Sequence, residues 1–318
     1  MASSRAYMRS FRCVSIVVVP VLFLGLSACI GRPVARPAPR GPAPAPTVAG
    51  PNLSGPWHVA VSYAPQGVRM ATRAVVTISG DPQGGAQGGV VGGLAGGVVT
   101  RIDTLTAALE ATYVVARGGR PRVERPRMDG SLTDYRVAVG GAPAAVPAGL
   151  SLPRPFSATD SGGAGLGFRV PAEGSACTDP AFSVLQGLHE AWIPLPDTLV
   201  MGREWSDTVR TVSCRDRVPL RGVSVRRFRV VRGELQDGRV VVMIERRAKG
   251  QVAGSGDQFG ERVELDGSSS GTVLYALDAS SGRLQRASGT SLVELRFKSR
   301  RRNQRVRQES ELSFVFRP

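Results

Sequence analysis

A period of two runs through the second half of the chain. Val293, Leu295 and Phe297 alternate with Glu294, Arg296 and Lys298, and Leu312, Phe314 and Phe316 alternate with Glu311, Ser313 and Val315. Alternation of this kind puts apolar side chains on one face of a strand and polar ones on the other, the pattern of a half-buried antiparallel sheet. A turn at Asn303-Gln304 pairs Leu295 with Leu312 and Val293 with Phe314. It also sets Arg296 against Glu311 and Lys298 against Glu309, so both faces of the predicted hairpin agree. Upstream, residues 272–278 and 283–287 flank Ala-Ser-Ser-Gly, a second hairpin signal. Residues 240–244 form an unbroken apolar run and read as a central strand. Val223 and Val225 fall out of phase with Phe228 and Val230, which predicts a bulge near Arg226-Arg227. From Trp205 to Phe316 the pattern predicts a meander of about six or seven strands.

One segment changes period. Asp179-Pro180 supplies an N-cap and a first-turn proline, and Phe182, Leu185, Leu188 and Trp192 follow as one apolar stripe. An amphipathic helix over about 180–192, ending before Pro194, is expected to cover one face of the sheet. Residues 57–170 are strand-like with long loops, 68–79 and 98–117 being the clearest strands. The run from Trp57 and the run from Trp205 each open a strand series. Pro- and Gly-rich stretches across 140–165 mark a break. The fold class is therefore mainly β: antiparallel meander sheets with one helix, in a β subdomain at 57–170, with a Gly-rich loop at 80–97, and a helix-plus-meander subdomain at 171–318. Within that loop, glycine pairs recur every four residues from Gly84-Gly85 to Gly96-Gly97. A hairpin loop is the expected form, because repeated glycines weaken a helix. The alternative is a small-residue helix face for membrane insertion or self-association.

Composition narrows the function classes. Hydrophobic residues make up 42% of 318, which excludes both a polytopic membrane protein and a wholly disordered chain. Lys plus Arg number 41 against 25 acids, a formal charge of +16. Only Lys249 and Lys298 are lysines, and so strong an arginine skew also follows from GC-rich coding, so the charge alone does not imply a nucleic-acid partner and none is expected. Two histidines cannot build a His-based metal cage, and no metal or cofactor is expected.

The N-terminus is more specific. Arg5, Arg9 and Arg12 precede an apolar run of about 14 residues, too short for the ~20 of a membrane span, and Leu26-Ser27-Ala28-Cys29 follows. The tetrapeptide resembles the lipobox of bacterial lipoproteins, in which the signal is cut before the cysteine and the thiol is lipidated. The resemblance implies a signal peptide at 1–28, lipid on Cys29 and anchoring to a membrane. By similarity to the sorting rule of enteric lipoproteins, Ile30 in place of an aspartate implies the outer membrane or periplasm rather than the inner membrane. Processing removes three arginines and no acid, so the charge falls to +13. Residues 29–56 then read as a tether: eight prolines lie between positions 30 and 56, a composition that favours extended polyproline II. The apolar helix, the Leu195–Trp205 stretch and the meander together resemble exported lipoproteins of GC-rich bacteria, a resemblance that brings no activity with it.

Of four cysteines, Cys177 and Cys214 remain in the folded part. An oxidising compartment makes one disulfide the natural expectation; free buried thiols or a catalytic cysteine are the alternatives. Gly267-Ser-Ser-Ser-Gly271 matches a nucleophile elbow in letters, but a strand pattern follows where a helix is required, so Ser269 is expected in a hairpin loop without a catalytic role. His189-Glu190 begins a zinc motif that Ile193 breaks. His189 and His58 are expected as hydrogen-bonded residues at the edge of apolar surfaces. A carboxylate-based enzyme would have to draw on Glu190, Glu204 or Asp207. A basic hairpin tip of Lys298, Arg300, Arg301, Arg302, Arg305 and Arg307 is a candidate contact for an anionic lipid or glycan surface. The expected function is a lipid-anchored envelope protein of structural or binding type, holding an apolar ligand or contacting an anionic surface; an extracytoplasmic hydrolase is the alternative.

Overall fold

The computed structural model describes residues 53–59, 66–81, 98–115, 126–144, 150–160, 166–168, 177, 187, 193–196, 198–215, 218–258, 260–300 and 303–317. The strands in chain order are β1 (Trp57–His58), β2 (Gln66–Asp81), β3 (Val98–Val115), β4 (Pro126–Val139), β5 (Ala142–Pro143), β6 (Arg154–Asp160) and β7 (Leu166–Phe168). They continue with β8 (Thr198–Leu199), β9 (Glu204–Arg215), β10 (Val218–Gln236), β11 (Arg239–Gln258), β12 (Glu261–Asp278), β13 (Arg283–Lys298) and β14 (Asn303–Arg317). The protein is mainly β, as the alternation requires, and β9 to β14 form a six-stranded meander.

The strand order is β7-β6-β4-β3-β2-β14-β13-β12-β11-β10-β9, with β5 on β4. The ladder between β2 and β14, from Asn303 opposite Asp81 to Arg317 opposite Gly67, joins the N-terminal strands to the meander in one antiparallel sheet. β1 and β8 form a separate two-stranded piece. Trp57 lies against Gly233, where a Cβ would sit 2.4 Å from the indole.

One face of this sheet is buried and the other is wet. Along β14, Val306, Gln308, Ser310, Leu312 and Phe314 are buried while the residues between them are exposed. Residues 241–244 are buried on both faces, as their unbroken apolar run predicts for a central strand. The inner face carries two apolar clusters. One gathers Met70, Leu105, Leu132, Phe228, Ile244, Tyr275 and Phe314, with Val59, Ile193 and Leu199 packed over it. The other gathers Val76, Leu220, Leu265, Leu295 and Phe297. Neighbouring strands approach one another closely on this face. A Cβ on Gly289 would lie 2.1 Å from the Thr272 carbonyl oxygen, and one on Gly254 2.0 Å from that of Pro219. Only glycine leaves room for neighbouring strands to approach so closely here.

Three expectations are corrected. The β13–β14 hairpin exists, but Leu295 faces Val306 and Val293 faces Gln308, so the turn falls at 299–302 rather than at Asn303-Gln304. The predicted register would have set Arg300 opposite Arg307 and Arg302 opposite Arg305. The observed one gives Arg307 a carboxylate at 2.9 Å in Glu294, and the difference is an even number of residues, so both faces are kept. Second, β10 has no bulge at Arg226-Arg227; its irregularity against β11 lies between Val230 and Arg232. Val223 and Val225 therefore stay exposed, and Arg226 occupies an inner position in phase with Phe228. Third, Ser269 is not in a hairpin loop but mid-strand in β12, opposite Gly250 and Val293. The expected helix and the glycine-pair loop lie outside the described residues, apart from Gly187, which is helical and buried.

Candidate functional site

Following the ladders across the inner face gives one continuous row: Asp103, Ala74, Ser310, Ser291, Gly271, Ala248, Arg226, Asp207, one residue from each of eight strands. Between Asp103 and Arg226 no side chain is larger than serine. The adjoining row adds Ser269, Gly250 and Ser224. These small residues separate the two apolar clusters. Ala248, Gly250, Ser269, Gly271 and Ser291 are half-buried, whereas their apolar neighbours Val273 and Leu295 are almost wholly buried. The result is a belt of small and polar residues across the middle of an apolar inner face, half-buried from Ser291 to Ala248 and buried towards both ends.

Charges close the belt at both ends. At one end Asp103 is 1% exposed and accepts a hydrogen bond from the Gly140 N–H at 3.1 Å, in the turn that leads from β4 to β5. At the other, Arg226 is 1% exposed and forms a two-pronged ion pair with Asp207; Arg226 Nε donates to Asp207 Oδ1 at 2.8 Å and Nη2 to Oδ2. The guanidinium carbon lies 5.4 Å from the centre of the Phe228 ring, which stacks on Trp205 at 5.5 Å. Trp205 Nε1 donates to the Pro194 carbonyl at 2.7 Å, so the stack is fixed from both sides. Arg246, also 1% exposed, lies in the row next to Phe228 and Val273. The Thr72 hydroxyl is buried near the other end, with no hydrogen-bond partner among the described residues. Tyr135 sits in the apolar cluster, and burial pushes its hydroxyl well above the ordinary tyrosine value.

The residues singled out from the sequence fare differently. Cys177 and Cys214 form a disulfide with Cα atoms 5.0 Å apart, which ties residue 177 to β9. Cys29 lies outside the described residues, as do His189, Glu190, Arg301 and Arg302. His58 Nδ1 is 3.2 Å from the Thr198 hydroxyl in the β1–β8 pair. Glu204 and Asp207 lie on opposite faces of β9, Glu204 exposed and Asp207 held by Arg226, so they form no carboxylate pair. Around the basic tip, Arg307 bridges Glu294 and Glu309 at 2.9 and 2.7 Å, and Lys298 lies 3.8 Å from Asp266. Arg300 and Arg305 are exposed. Two of the six tip cations, Lys298 and Arg307, are thus compensated locally.

No family model, curated protein or solved structure matches this chain. Among the described residues no cluster of three or more metal-ligating side chains occurs. The Asp207–Arg226 pair was not singled out from the sequence as an ion pair. Its signal was present, since Asp207 is in phase with Trp205 and Val209, and Arg226 with Phe228 and Val230. A charge in the buried phase of each of two neighbouring strands implies a buried pair.

Proposed function

We propose that the protein is an exported, lipid-anchored envelope protein of binding type, held to a membrane through Cys29 and presenting its inner face to an apolar ligand with a polar end. The observation that carries the export reading is Leu26-Ser27-Ala28-Cys29 after a basic start and a short apolar run, followed by a proline-rich tether. The Cys177–Cys214 disulfide supports it, because such bonds persist in oxidising compartments. The small-residue belt supports the binding reading. Its small side chains lie between two apolar clusters, so that apolar and polar surface adjoin on one face, as an amphipathic occupant requires. Stable anchoring takes more than one acyl chain, as lipoprotein processing supplies.

Growth with labelled fatty acid tests the anchor: label is expected on the wild-type chain and absent from Cys29→Ala. Native mass spectrometry of the purified protein tests the binding face. A stoichiometric bound lipid that is lost in Ala248→Trp, a substitution that fills the belt, supports the reading. A protein that carries no lipid before or after incubation with lipid extract removes it.

A further inference from the structure

The outer face of β9 to β12 carries a second feature. Three consecutive cross-strand rows there are Ser206–Arg227–Arg247–Thr272, Thr208–Val225–Lys249–Ser270 and Arg210–Val223–Gln251–Ser268. These twelve residues include four cations, two valines and no acid. The block measures about 14 Å on a side from strand spacing and rise. Val223 and Val225 are 48% and 44% exposed. Arg227 stands directly opposite Arg247, an arrangement that costs stability in an isolated sheet. Arg247 has Glu245 at 2.6 Å, in the next row; Arg210, Arg227 and Lys249 have no ion pair among the described residues. Elsewhere on the outer face several arginines meet carboxylates: Arg73 meets Glu311, Arg296 meets Asp266, and Arg307 meets Glu294.

We infer that this block is a docking surface for an anionic lipid bilayer. Uncompensated cations supply attraction to anionic headgroups, and the two exposed valines at the centre can enter the headgroup layer. Charge complementarity argues for anionic headgroups, and the two exposed valines set among the cations select this face over the hairpin tip, where Lys298 and Arg307 are engaged by carboxylates while Arg300 and Arg305 stand exposed. The inference rests on the proposed anchoring only in that the tether would bring the face within reach of a bilayer; the surface itself needs no acyl chain.

The test uses the processed chain, residues 29–318, carrying Cys29→Ala, so that neither the apolar signal nor an acyl chain is present. Its co-flotation is measured with vesicles of phosphatidylcholine alone and of equal parts phosphatidylcholine and phosphatidylglycerol. Binding is expected only to the anionic vesicles and should weaken with salt. Replacing Arg210, Arg227 and Lys249 by Gln should lower partitioning by about fivefold per residue, on the order of a hundredfold together. Arg300→Gln with Arg305→Gln should leave it unchanged. A variant-free measurement guards against misfolding. Lys249 and Lys298 are the only lysines, so amine acetylation read by mass spectrometry should find Lys249 protected by anionic vesicles and Lys298 still reactive. Equal binding to both vesicle types, equal labelling of the two lysines, or retention on an acidic polysaccharide with no vesicle binding would each overturn the inference. A failure of the anchor would appear instead in the fatty-acid labelling.

Discussion

At the residue scale the buried charges dictate the sharpest expectations. Arg226 and Asp207 are each nearly inaccessible, and each satisfies the other across one ladder position of β9 and β10. Removing one partner leaves an uncompensated charge inside the sheet, so Asp207→Ala should destabilise by about 3–5 kcal/mol in urea unfolding. Pairing Asp207→Leu with Arg226→Met should recover most of that loss, because a well-packed apolar pair is often as stable as the ion pair it replaces. Asp278 behaves differently. Burial alone would raise its pKa, but the Ser280 hydroxyl at 2.6 Å and the Ser280 and Ser281 N–H groups at 2.9 and 3.3 Å hold the carboxyl below the ordinary value. A depressed folded-state pKa stabilises above the unfolded value, near 4, and that stabilisation is lost as pH falls through the folded one. Asp278→Asn can keep the turn while removing the titration. Its unfolding free energy should therefore vary less with pH below about 4 than the wild type's. A wild-type acid limb that Asp278→Asn leaves unchanged would contradict this role.

At the scale of elements, period two was enough to find β13 and β14 and to say which residues face inward. It was not enough to find their register. Val293, Leu295 and Phe297 point into the core under any even slip against β14, so the hydrophobic pattern is blind to the difference between Leu295–Val306 and Leu295–Leu312. The observed pairing sets Arg307 against Glu294, although it also sets Arg296 against Arg305, so charge matching does not read the register from the sequence either. Cross-strand cysteines read the outcome directly. Leu295→Cys with Val306→Cys should oxidise readily to a disulfide, whereas Leu295→Cys with Leu312→Cys should not, as followed by thiol alkylation and peptide mapping. The same blindness accounts for β10. The out-of-phase valines suggest a bulge only if Val223 and Val225 belong inside; they stay exposed, and Asp207 on the neighbouring strand makes an inner Arg226 tolerable. For Ser269, a flexible Ser-Gly run reads as a loop, yet it continues β12 because closely approaching strands need small residues on the inner face.

At the scale of the whole molecule, the β2–β14 ladder and the Cys177–Cys214 bond set the connectivity. The bond closes a separation of 37 residues, which in the chain-entropy model is worth roughly 4 kcal/mol. Replacing both cysteines by Ala should lower stability by about that amount in denaturant melts while keeping the strand signal in far-ultraviolet circular dichroism, since β9 is held to β10 along its whole length. The sequence by itself determined the antiparallel β class, the inner and outer face of β13 and β14, the cysteine pair, and the expectation of export carried by residues 1–29. All of these are local patterns or simple counts. Only the tertiary structure decided that the strands before and after the 140–165 break share one sheet. It also decided that eight distant positions line up as the belt from Asp103 to Asp207, and that a second group of uncompensated cations lies on β9 to β11 beside exposed valines. Those facts depend on which strand lies beside which and in what register. Pairing between strands more than two hundred residues apart leaves no trace in the periodicity of either one.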